Sequence, residues 1–565
     1  MGEVSGLDKL DHRKRRPDSL PTMSDLISQA RAWAAQDPDP QTRAELERLI
    51  GAGESDELAD RFRGTLEFGT AGLRGALGAG PNRMNRVVVL RAAAGLAAYL
   101  KANGTDPDAS VVIGYDARHN SDVFARDTAE VMTGAGLKAF TLPRPLPTPL
   151  LAYAIRDLGC VAGVMVTASH NPPQDNGYKV YLGDGSQIVP PSDTEISAAI
   201  AAVGELDTIP RGDGGEVLGD EILDRYLATI ANLIPDGPRD LNIVYTPLHG
   251  VGGTSIQAVL KLTGFPEPHM TTAQEQPDPD FPTVAFPNPE EPGAMDLAMA
   301  LAREVDADIV VANDPDADRC AVAVPGPQGW QMLRGDEVGA LLANHLLSKG
   351  KQGVYAASIV SSSLLGKQAA AHGQPYTQTL TGFKWIGRLP GLAFGYEEAL
   401  GYCVDPEHVK DKDGVSALLL ICEMAAAAKA EDRDLRSLLD DIAREHGLHA
   451  TDQLSVRFSD LAEIPATMQR LREAPPSSMG GLTVERVEDL SLGSAELPPT
   501  DGLRYHLADG ARVIVRPSGT EPKVKAYLEV VIPVEDTEDG VDAARINAVG
   551  RLDAIRADVQ KAAGL

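Results

Sequence analysis

The chain has 565 residues, of which 43% are hydrophobic and 24% charged, a composition typical of a globular protein with several domains. A formal net charge of −29 disfavours nucleic acid and anionic membranes as partners, and no apolar run reaches the ~20 residues of a membrane span. The 4 cysteines are scattered without a CxxC spacing, which argues against a zinc site or a disulfide framework and predicts a cytoplasmic location.

The N-terminal region reads as an extension ahead of the first domain. A basic cluster at residues 12–16 is followed by no apolar segment, so we do not expect a signal peptide. We predict a flexible segment over residues 1–22 and lead-in helices up to residue 55.

Strand and helix patterns then alternate along most of the chain. Short apolar runs typical of buried strands occupy residues 110–114, 161–166, 241–245, 307–312 and 353–359. Helical patterns flank these runs, and the alternation predicts α/β layers with largely parallel sheets. Stretches rich in proline and glycine mark the boundaries of three such domains. We place these domains at residues 56–212, 213–327 and 328–447.

The last part of the chain has a different rhythm. A helical pattern stops at Gly447, and shorter helices are interleaved with strands beyond it. These strands are predicted at residues 454–458, 482–487, 503–507, 512–515 and 524–531. The pattern predicts a separate α+β domain over residues 448–565.

A serine lies directly after one of the buried strands. Ser169 follows the apolar run 161–166 and precedes Asn171-Pro172-Pro173, which forces the chain to turn. His170 is adjacent, and Lys179 follows a second turn nearby. The segment is either an ordinary polar turn or the site of a nucleophilic serine.

Three aspartates alternate in a loop between two apolar runs. Pro315 favours an extended backbone at Asp314, and alternate side chains of an extended segment point the same way. The carboxylates of Asp314, Asp316 and Asp318 would then converge, and oxygen ligands suit Mg²⁺ or Ca²⁺. An EF-hand is excluded because its sixth and twelfth positions would be arginine and proline. A solvated acidic turn is the alternative.

Two further loops carry polar groups suited to a phosphosugar. Residues 516–523, RPSGTEPK, offer an arginine, two hydroxyls and a glycine N–H, which together suit a phosphate, although a surface turn has a similar composition. Residues 395–402, GYEEALGY, and 380–386, LTGFKWI, place carboxylates and hydroxyls near aromatic residues, as in sugar-binding sites. A solvated helix face is the alternative for the paired glutamates.

These loops together resemble the α-D-phosphohexomutase superfamily, which contains the phosphoglucomutase and phosphomannomutase enzymes. The matching segments occur in the family's order and cover the chain from about residue 56. They are FGTAGLRG at 68–75, TASHNP at 167–172, DPDADR at 314–319, TGFKW at 381–385 with Glu397-Glu398, and RPSGTEP at 516–522. The resemblance implies three related mixed α/β domains and a C-terminal α+β domain around a central cleft.

The resemblance also implies roles for individual residues. Ser169 would carry a phosphoryl group and, with Asp314, Asp316 and Asp318, bind Mg²⁺. Arg74, His170 and Lys179 would act at the transferring group, whereas His249 and Arg118 are equally compatible with structural roles. The substrate would contact Arg319, Thr381, Gly382, Lys384, Glu397, Glu398, Arg516, Ser518, Gly519, Thr520 and Lys525.

The implied reaction is the interconversion of a sugar 1-phosphate and its terminal-hydroxyl phosphate. A sugar 1,6-bisphosphate would be both intermediate and activator, and no nucleic acid or membrane partner is expected. The GFKW and EEALGY segments depart from the commoner family pattern and resemble a subgroup that includes phosphopentomutase-like enzymes. We expect glucose as the sugar, with mannose and pentose phosphates as alternatives. A phosphosugar phosphatase and a non-catalytic phosphosugar-binding regulator are the alternatives from other classes.

Overall fold

The computed structural model describes residues 22–69, 72–460, 462–495, 497–518 and 523–564, so the predicted flexible extension lies, apart from Thr22, outside the described residues. Three helices come first: α1 (Met23–Gln36), α2 (Pro40–Ala52) and α3 (Ser55–Phe62). Local chemistry explains the starts of the first two, because Thr22 and Asp25 form a capping box at α1 and Asp39 caps α2, which has proline in its first turn. Leu46, Leu49 and their neighbours pack these helices against Ala79.

The first α/β unit contains a mixed six-stranded sheet. Its elements are β1 (Leu73–Ala76), α4 (Arg86–Ala102), β2 (Ser110–Tyr115), α5 (Ser121–Gly134), β3 (Lys138–Thr141), α6 (Thr148–Asp157), β4 (Ala162–Val166), β5 (Asp175–Leu182), α7 (Ser192–Ala201) and β6 (Glu216–Val217). The strand order is β1-β5-β4-β2-β3-β6. Strands β4, β2, β3 and β6 are parallel, whereas β5 runs antiparallel to both β4 and β1.

The second unit repeats this plan around a five-stranded sheet. Its elements are α8 (Glu221–Ala231), β7 (Ile243–Thr246), α9 (Gly252–Leu262), β8 (His269–Met270), α10 (Asp296–Glu304), β9 (Ile309–Ala312), β10 (Ala321–Gly326) and β11 (Gly329–Met332). The order is β11-β10-β9-β7-β8. Strands β8, β7 and β9 are parallel, and β10 is antiparallel to β9.

The third unit has a four-stranded sheet of order β13-β12-β14-β15. Its elements are α11 (Gly335–Ser348), β12 (Val354–Ser358), α12 (Leu364–Ala371), β13 (Tyr376–Thr379), α13 (Phe383–Ile386), β14 (Leu392–Glu397), β15 (Gly401–Cys403), α14 (Gly414–Lys429) and α15 (Leu435–His446). Again the last strand, β15, is antiparallel to a parallel set. The predicted mixed α/β class is confirmed, but the expectation of largely parallel sheets missed these antiparallel strands.

The C-terminal unit is an antiparallel sheet covered by two helices, as the α+β prediction required. Its elements are β16 (Leu448–Arg457), α16 (Glu463–Glu473), β17 (Ser478–Met479), β18 (Leu482–Asp489), β19 (Leu503–Leu507), β20 (Arg512–Pro517), β21 (Lys523–Ile532) and α17 (Gly540–Ala563). The order is β16-β21-β20-β19-β18-β17. Gly447, with φ 85°, ends α15 and leads directly into β16.

Apolar packing divides the molecule unequally. One core runs from the first unit through the second and third, joining for example Leu150, Ile309 and Leu418. The C-terminal unit has its own core around Tyr505 and Ile555. Within the described ranges, no helix has the length and apolarity needed to cross a membrane.

Candidate active site

Ser169 lies in the loop that joins β4 to β5. Its side chain is buried, its φ of 51° is in the left-handed region, and its N–H donates to Thr167 Oγ1 at 2.9 Å. Arg118 fastens this loop by donating to the backbone carbonyls of Ser169 at 2.7 Å, Asn171 at 2.5 Å and Pro172 at 2.8 Å. The loop therefore presents Ser169 in one fixed conformation, and Arg118 has the structural role.

His249 is also held by structural contacts. Its Nε2 lies 2.8 Å from Thr283 Oγ1, and its N–H donates to the Gln274 carbonyl at 2.9 Å. Both partners lie in the second unit, so His249 stabilises the loop that follows β7.

The three aspartates, called the acid cluster below, lie in the loop between β9 and β10. Asp314, Asp316 and Asp318 are buried, and one oxygen from each lies within 4.8 Å of the others. They converge through a turn rather than the extended segment expected from the sequence, because Ala317 has a φ of 54° and donates to the Asp314 carbonyl at 2.9 Å. Strand β10 follows, which agrees with the exclusion of an EF-hand.

The acid cluster fits a divalent cation. Asp316 Oδ1 and Asp318 Oδ1 are buried and accept no hydrogen bond from the described part of the chain. Burial, with the neighbouring charges of Asp316 and Asp318, raises the pKa of Asp314 well above its ordinary value. Ser169 Oγ donates to Asp314 Oδ2 at 2.7 Å, which places the serine oxygen beside the carboxylates. An oxygen-only donor set of this kind suits Mg²⁺.

Two lysines approach the acid cluster from other units. Lys179 Nζ, on β5, lies 2.8 Å from Asp316 Oδ2 and 3.1 Å from Asp318 Oδ2. Burial alone would lower the pKa of Lys179, but the two carboxylates outweigh burial and raise it. Lys412 Nζ lies 3.3 Å from Asp318 Oδ2. The lysines are therefore held as cations against the loop.

Lys412 was missed in the sequence analysis. Its signal was the alternation KDKDG at 410–414, just before α14. Asp411 accepts hydrogen bonds from Tyr181 Oη at 2.8 Å and Gln187 Nε2 at 2.7 Å, which fixes the segment against the first unit. Gly414 is required here because a Cβ would lie 2.2 Å from the Arg319 carbonyl oxygen.

Two other predicted residues flank Ser169. His170 Nδ1 lies 3.2 Å from Ser169 Oγ, and burial, with the charges of Arg319 and Arg74, lowers the pKa of His170 well below its ordinary value. Burial and the neighbouring arginines therefore favour the neutral imidazole beside Ser169 Oγ. Arg74 lies on β1 and donates to Asn171 Oδ1 at 3.0 Å.

The predicted sugar-binding glutamates lie at the end of β14 and in the turn after it, not on a helix. Glu397 accepts a hydrogen bond from the Gly382 N–H at 2.7 Å, which joins it to the segment containing Thr381. Burial, with the charges of Glu397 and Asp336, raises the pKa of Glu398 to about 7. Arg319 Nη1 donates to the Ala399 carbonyl at 2.8 Å, so the acid-cluster loop and this turn are in direct contact.

Lys384 has a different environment from the other predicted residues. Its Nζ lies 5.3 Å from the Trp385 ring centroid, a cation–π distance. Burial lowers its pKa, and the charged groups that influence it are Asp193 and Arg388. Asp193 belongs to α7, so the charge of this first-unit helix acts on Lys384.

The predicted phosphate loop joins β20 to β21. Arg516 and Lys525 are register partners at its base, and the Ser518 N–H donates to the Lys523 carbonyl at 2.8 Å. Lys525 lowers the pKa of Glu398 against the effect of burial, so its positive charge acts on residues 397–400, called the sugar-binding turn below after its predicted role. The predicted ligands Gly519 and Thr520 lie outside the described residues.

The four loops share one structural position. Each joins a strand to its antiparallel neighbour: β4 to β5, β9 to β10, β14 to β15, and β20 to β21. An antiparallel return directly after the loop brings the chain back beside the same site, which is how Lys179 comes to face the acid cluster.

Comparison with known proteins gives matches along the chain. Four models of phosphoglucomutase/phosphomannomutase match it in order: alpha/beta/alpha domain I at residues 65–207, domain II at 224–328, domain III at 334–446, and the C-terminal domain at 454–546.

Three relatives carry different substrate names. A probable phosphomannomutase of Haemophilus influenzae is 50% identical over 79% of this chain and 93% of its own length. A phosphopentomutase of Mus musculus is 35% identical over 90% of each chain. A phosphoglucomutase of Staphylococcus haemolyticus is 36% identical over 83% of this chain and 91% of its own.

Proposed function

Because the chain belongs to the phosphoglucomutase/phosphomannomutase family, whose members are isomerases that transfer a phosphoryl group within a sugar phosphate, we propose that it interconverts glucose 1-phosphate and glucose 6-phosphate through a phosphorylated Ser169. The single observation that carries this proposal is the contact of 2.7 Å between Ser169 Oγ and Asp314 Oδ2. It joins residues 145 positions apart and places a serine oxygen against buried carboxylates.

Mg²⁺ would be held by Asp314, Asp316, Asp318 and the phosphorylated Ser169. When bound, it supplies positive charge that offsets the charge on the transferring phosphoryl oxygens. Lys179 and Lys412 hold the carboxylates in place through their ion pairs. The residues thus position the phosphoryl donor and stabilise charge, which is the main requirement for phosphoryl transfer.

In the transfer step, a sugar hydroxyl oxygen forms a bond to phosphorus as the bond from phosphorus to Ser169 Oγ breaks. The sugar hydroxyl loses its proton as it attacks, and Ser169 Oγ takes up a proton as it leaves; His170, 3.2 Å from Ser169 Oγ, can relay the proton from the first oxygen to the second. Arg74 neighbours the same loop and can bind a phosphoryl oxygen. The reverse transfer, from the other phosphate of the bound bisphosphate, regenerates phosphoserine.

The rest of the substrate would be bound by the sugar-binding turn and the phosphate loop. Arg516, Ser518, Gly519, Thr520 and Lys525 would bind the phosphate that is not transferred. Thr381, Gly382, Lys384, Glu397, Glu398 and Arg319 would contact the sugar, supported by the bonds that join Arg319 and Gly382 to the sugar-binding turn.

The preferred sugar is the finer part of the proposal. Relatives named phosphomannomutase and phosphoglucomutase support a hexose, whereas the relative named phosphopentomutase supports a pentose. Glucose is our first candidate, with mannose and pentose phosphates as alternatives. Isomerisation of glucose 1-phosphate, mannose 1-phosphate and ribose 1-phosphate should be measured side by side with Mg²⁺ and glucose 1,6-bisphosphate. We expect the highest kcat/KM for glucose 1-phosphate, and a higher value for either other sugar would overturn this choice.

The phosphoserine part needs its own measurement. Intact-mass spectrometry should find one phosphoryl group on a fraction of the purified protein. Steady release of inorganic phosphate from a sugar monophosphate, without isomerisation, would contradict the mutase proposal and favour a phosphatase.

A further inference from the structure

A loop rich in serine separates the sugar-binding turn from the C-terminal unit. It spans residues 358–363, follows β12, and is called the serine loop here. Ser358, Ser361 and Ser362 are fully or almost fully buried. Buried hydroxyls need partners, and those of the serine loop lie in two different parts of the protein.

On one side, the serine loop holds the sugar-binding turn. Ser361 Oγ donates to Glu398 Oε2 at 3.0 Å and accepts from the Glu398 N–H at the same distance. Ser358 Oγ lies 3.1 Å from Glu398 Oε2 and 2.9 Å from Ser361 Oγ. Glu397, the proposed sugar ligand, is the adjacent residue, so its backbone position depends on this contact.

On the other side, the serine loop holds the C-terminal unit. Arg512 donates to the backbone carbonyl of Ser361, and its Nη1 lies 3.3 Å from the Ile359 carbonyl. Glu529 accepts from Ser362 Oγ at 2.6 Å and from the Ser363 N–H at 2.8 Å. Arg512 and Glu529 are register partners and form an ion pair of 2.5 Å.

The same strands continue to the phosphate loop. Arg512 begins β20, which ends just after Arg516, so the two arginines lie four residues apart on one strand and point to the same face. Ile514 and Tyr527 pack on Ile359 beside this contact. The position of Arg516 is therefore set by a short, buried path from the serine loop.

We propose that Ser361 is a positioning residue that sets the distance between the sugar-binding turn and the phosphate loop. Ser361 contacts Glu398 with its side chain and Arg512 with its backbone carbonyl, so it lies between the two loops. The proposal rests on the proposed function, because the two loops would bind opposite ends of one phosphosugar. The fixed distance would select sugars of one length.

The first test is the kinetics of Ser361→Ala. With the hydroxyl removed, Glu398 loses both hydrogen bonds to Ser361 and keeps the one from Ser358 Oγ. The turn is then held less firmly, and we expect KM for glucose 1-phosphate to rise about tenfold with kcat changed less than about threefold. The preference for glucose 1-phosphate over ribose 1-phosphate should fall as well. The matched control is Ser255→Ala, because Ser255 is a buried serine on α9 whose hydroxyl has no partner in the described ranges. Equal kinetics for both variants would overturn the proposal.

A double-mutant cycle with Arg516→Ala separates positioning from a local effect. When Arg516 no longer binds the phosphate, the distance between the loops ceases to matter, so Ser361→Ala should add less than about twofold to KM in that background. If the two effects on KM multiply, Ser361 acts only on its own turn and the proposal is wrong. Ser358→Ala, which weakens the same contact with Glu398, replaces Ser361→Ala if the latter fails to fold.

Failure of the proposed function would give a different result. A wild-type protein that isomerises none of the three sugar phosphates contradicts the mutase proposal. In that case the same cycle is measured on the affinity for glucose 1,6-bisphosphate by calorimetry, where additive effects on Kd would still overturn the positioning role and non-additive effects would support it.

Discussion

The acid cluster and the serine loop are both buried, polar and shared between units, yet they differ in how completely their charges are satisfied. In the acid cluster, Asp316 and Asp318 each keep an oxygen without a hydrogen bond from the described chain. At the serine loop, both oxygens of Glu529 accept hydrogen bonds, from Ser362, Ser363 and His449 on one side and Arg512 on the other.

The pKa shifts distinguish Asp314 from Glu529 but not the acid cluster as a whole, because nearby cations, Lys179 above all, outweigh burial and lower the pKa of both Asp316 and Asp318. Burial raises the pKa of Asp314, and the negative charges of Asp316 and Asp318 raise it further. Burial alone would also raise the pKa of Glu529, but Arg512 and His449 outweigh it and lower the pKa. A buried charge left unsatisfied indicates a binding site, whereas a satisfied one indicates a structural joint. Four substitutions or treatments test this contrast.

Ser169→Ala should have the largest effect. Without the serine oxygen there is no phosphoserine, and we expect isomerisation to fall at least ~1000-fold while the melting temperature stays close to that of the wild type. Intact mass should show no phosphoryl group on the variant. Ser255→Ala is the control for loss of a buried serine hydroxyl. Turnover retained in Ser169→Ala would contradict the phosphoserine mechanism.

Removal of divalent cations should have the second-largest effect on activity. Chelation leaves the carboxylates of the acid cluster unneutralised, so we expect activity to fall about 100-fold or more and the melting temperature to decrease, both restored by Mg²⁺. Asp314→Asn should weaken the dependence of melting temperature on Mg²⁺. If chelation changes neither the activity nor the melting temperature, the acid cluster does not bind a metal ion.

Arg512→Met tests the buried contact between the serine loop and the C-terminal unit. It leaves Glu529 buried without its cation, and we expect a loss of about 3–5 kcal/mol in the free energy of unfolding, measured with denaturant. Phosphorylation of Ser169 should persist in the folded fraction. The control is Arg472→Met: Arg472 pairs with Asp489 and Asp501 near the surface, where loss of an ion pair costs about 1 kcal/mol or less. Equal losses in the free energy of unfolding for the two variants would show that the ion pair between Arg512 and Glu529 is not a buried structural contact.

Glu398→Gln should have the smallest effect, visible as a pH dependence. The pKa of Glu398 is raised in the folded protein from 4.5 to about 7, so the folded state binds more protons than the unfolded state between these values. Stability therefore falls as pH rises through this window, by about 1–3 kcal/mol, and Glu398→Gln should remove that part of the fall. Melting temperatures from pH 4 to 8 measure it.

Glu423→Gln provides a control of opposite sign. His345 and Lys349 outweigh burial and lower the pKa of Glu423, so its contribution to stability is lost as pH falls. If Glu398→Gln has the same dependence of melting temperature on pH as the wild type, the Glu398 carboxyl does not have a raised pKa in the folded protein.

Local patterns in the sequence determined much of this architecture. The strand predicted at residues 503–507 is observed as Leu503–Leu507, and the α+β character of the last unit is confirmed. Turn chemistry located the loops of Ser169 and the acid cluster, since proline and small polar residues end strands through local sterics. Resemblance to the family then united the loops, and the family models match the chain in the same order.

Only the tertiary structure decided which side chains meet. Lys412 faces Asp318 from a different unit, and Arg118 fastens the Ser169 loop from the end of another strand. The antiparallel strands that follow each loop were missed because strand direction depends on pairing, whereas alternation of apolar residues does not record it. No local pattern in the sequence indicates a role for Ser361, because its partners Glu398 and Arg512 become its neighbours only when the units pack.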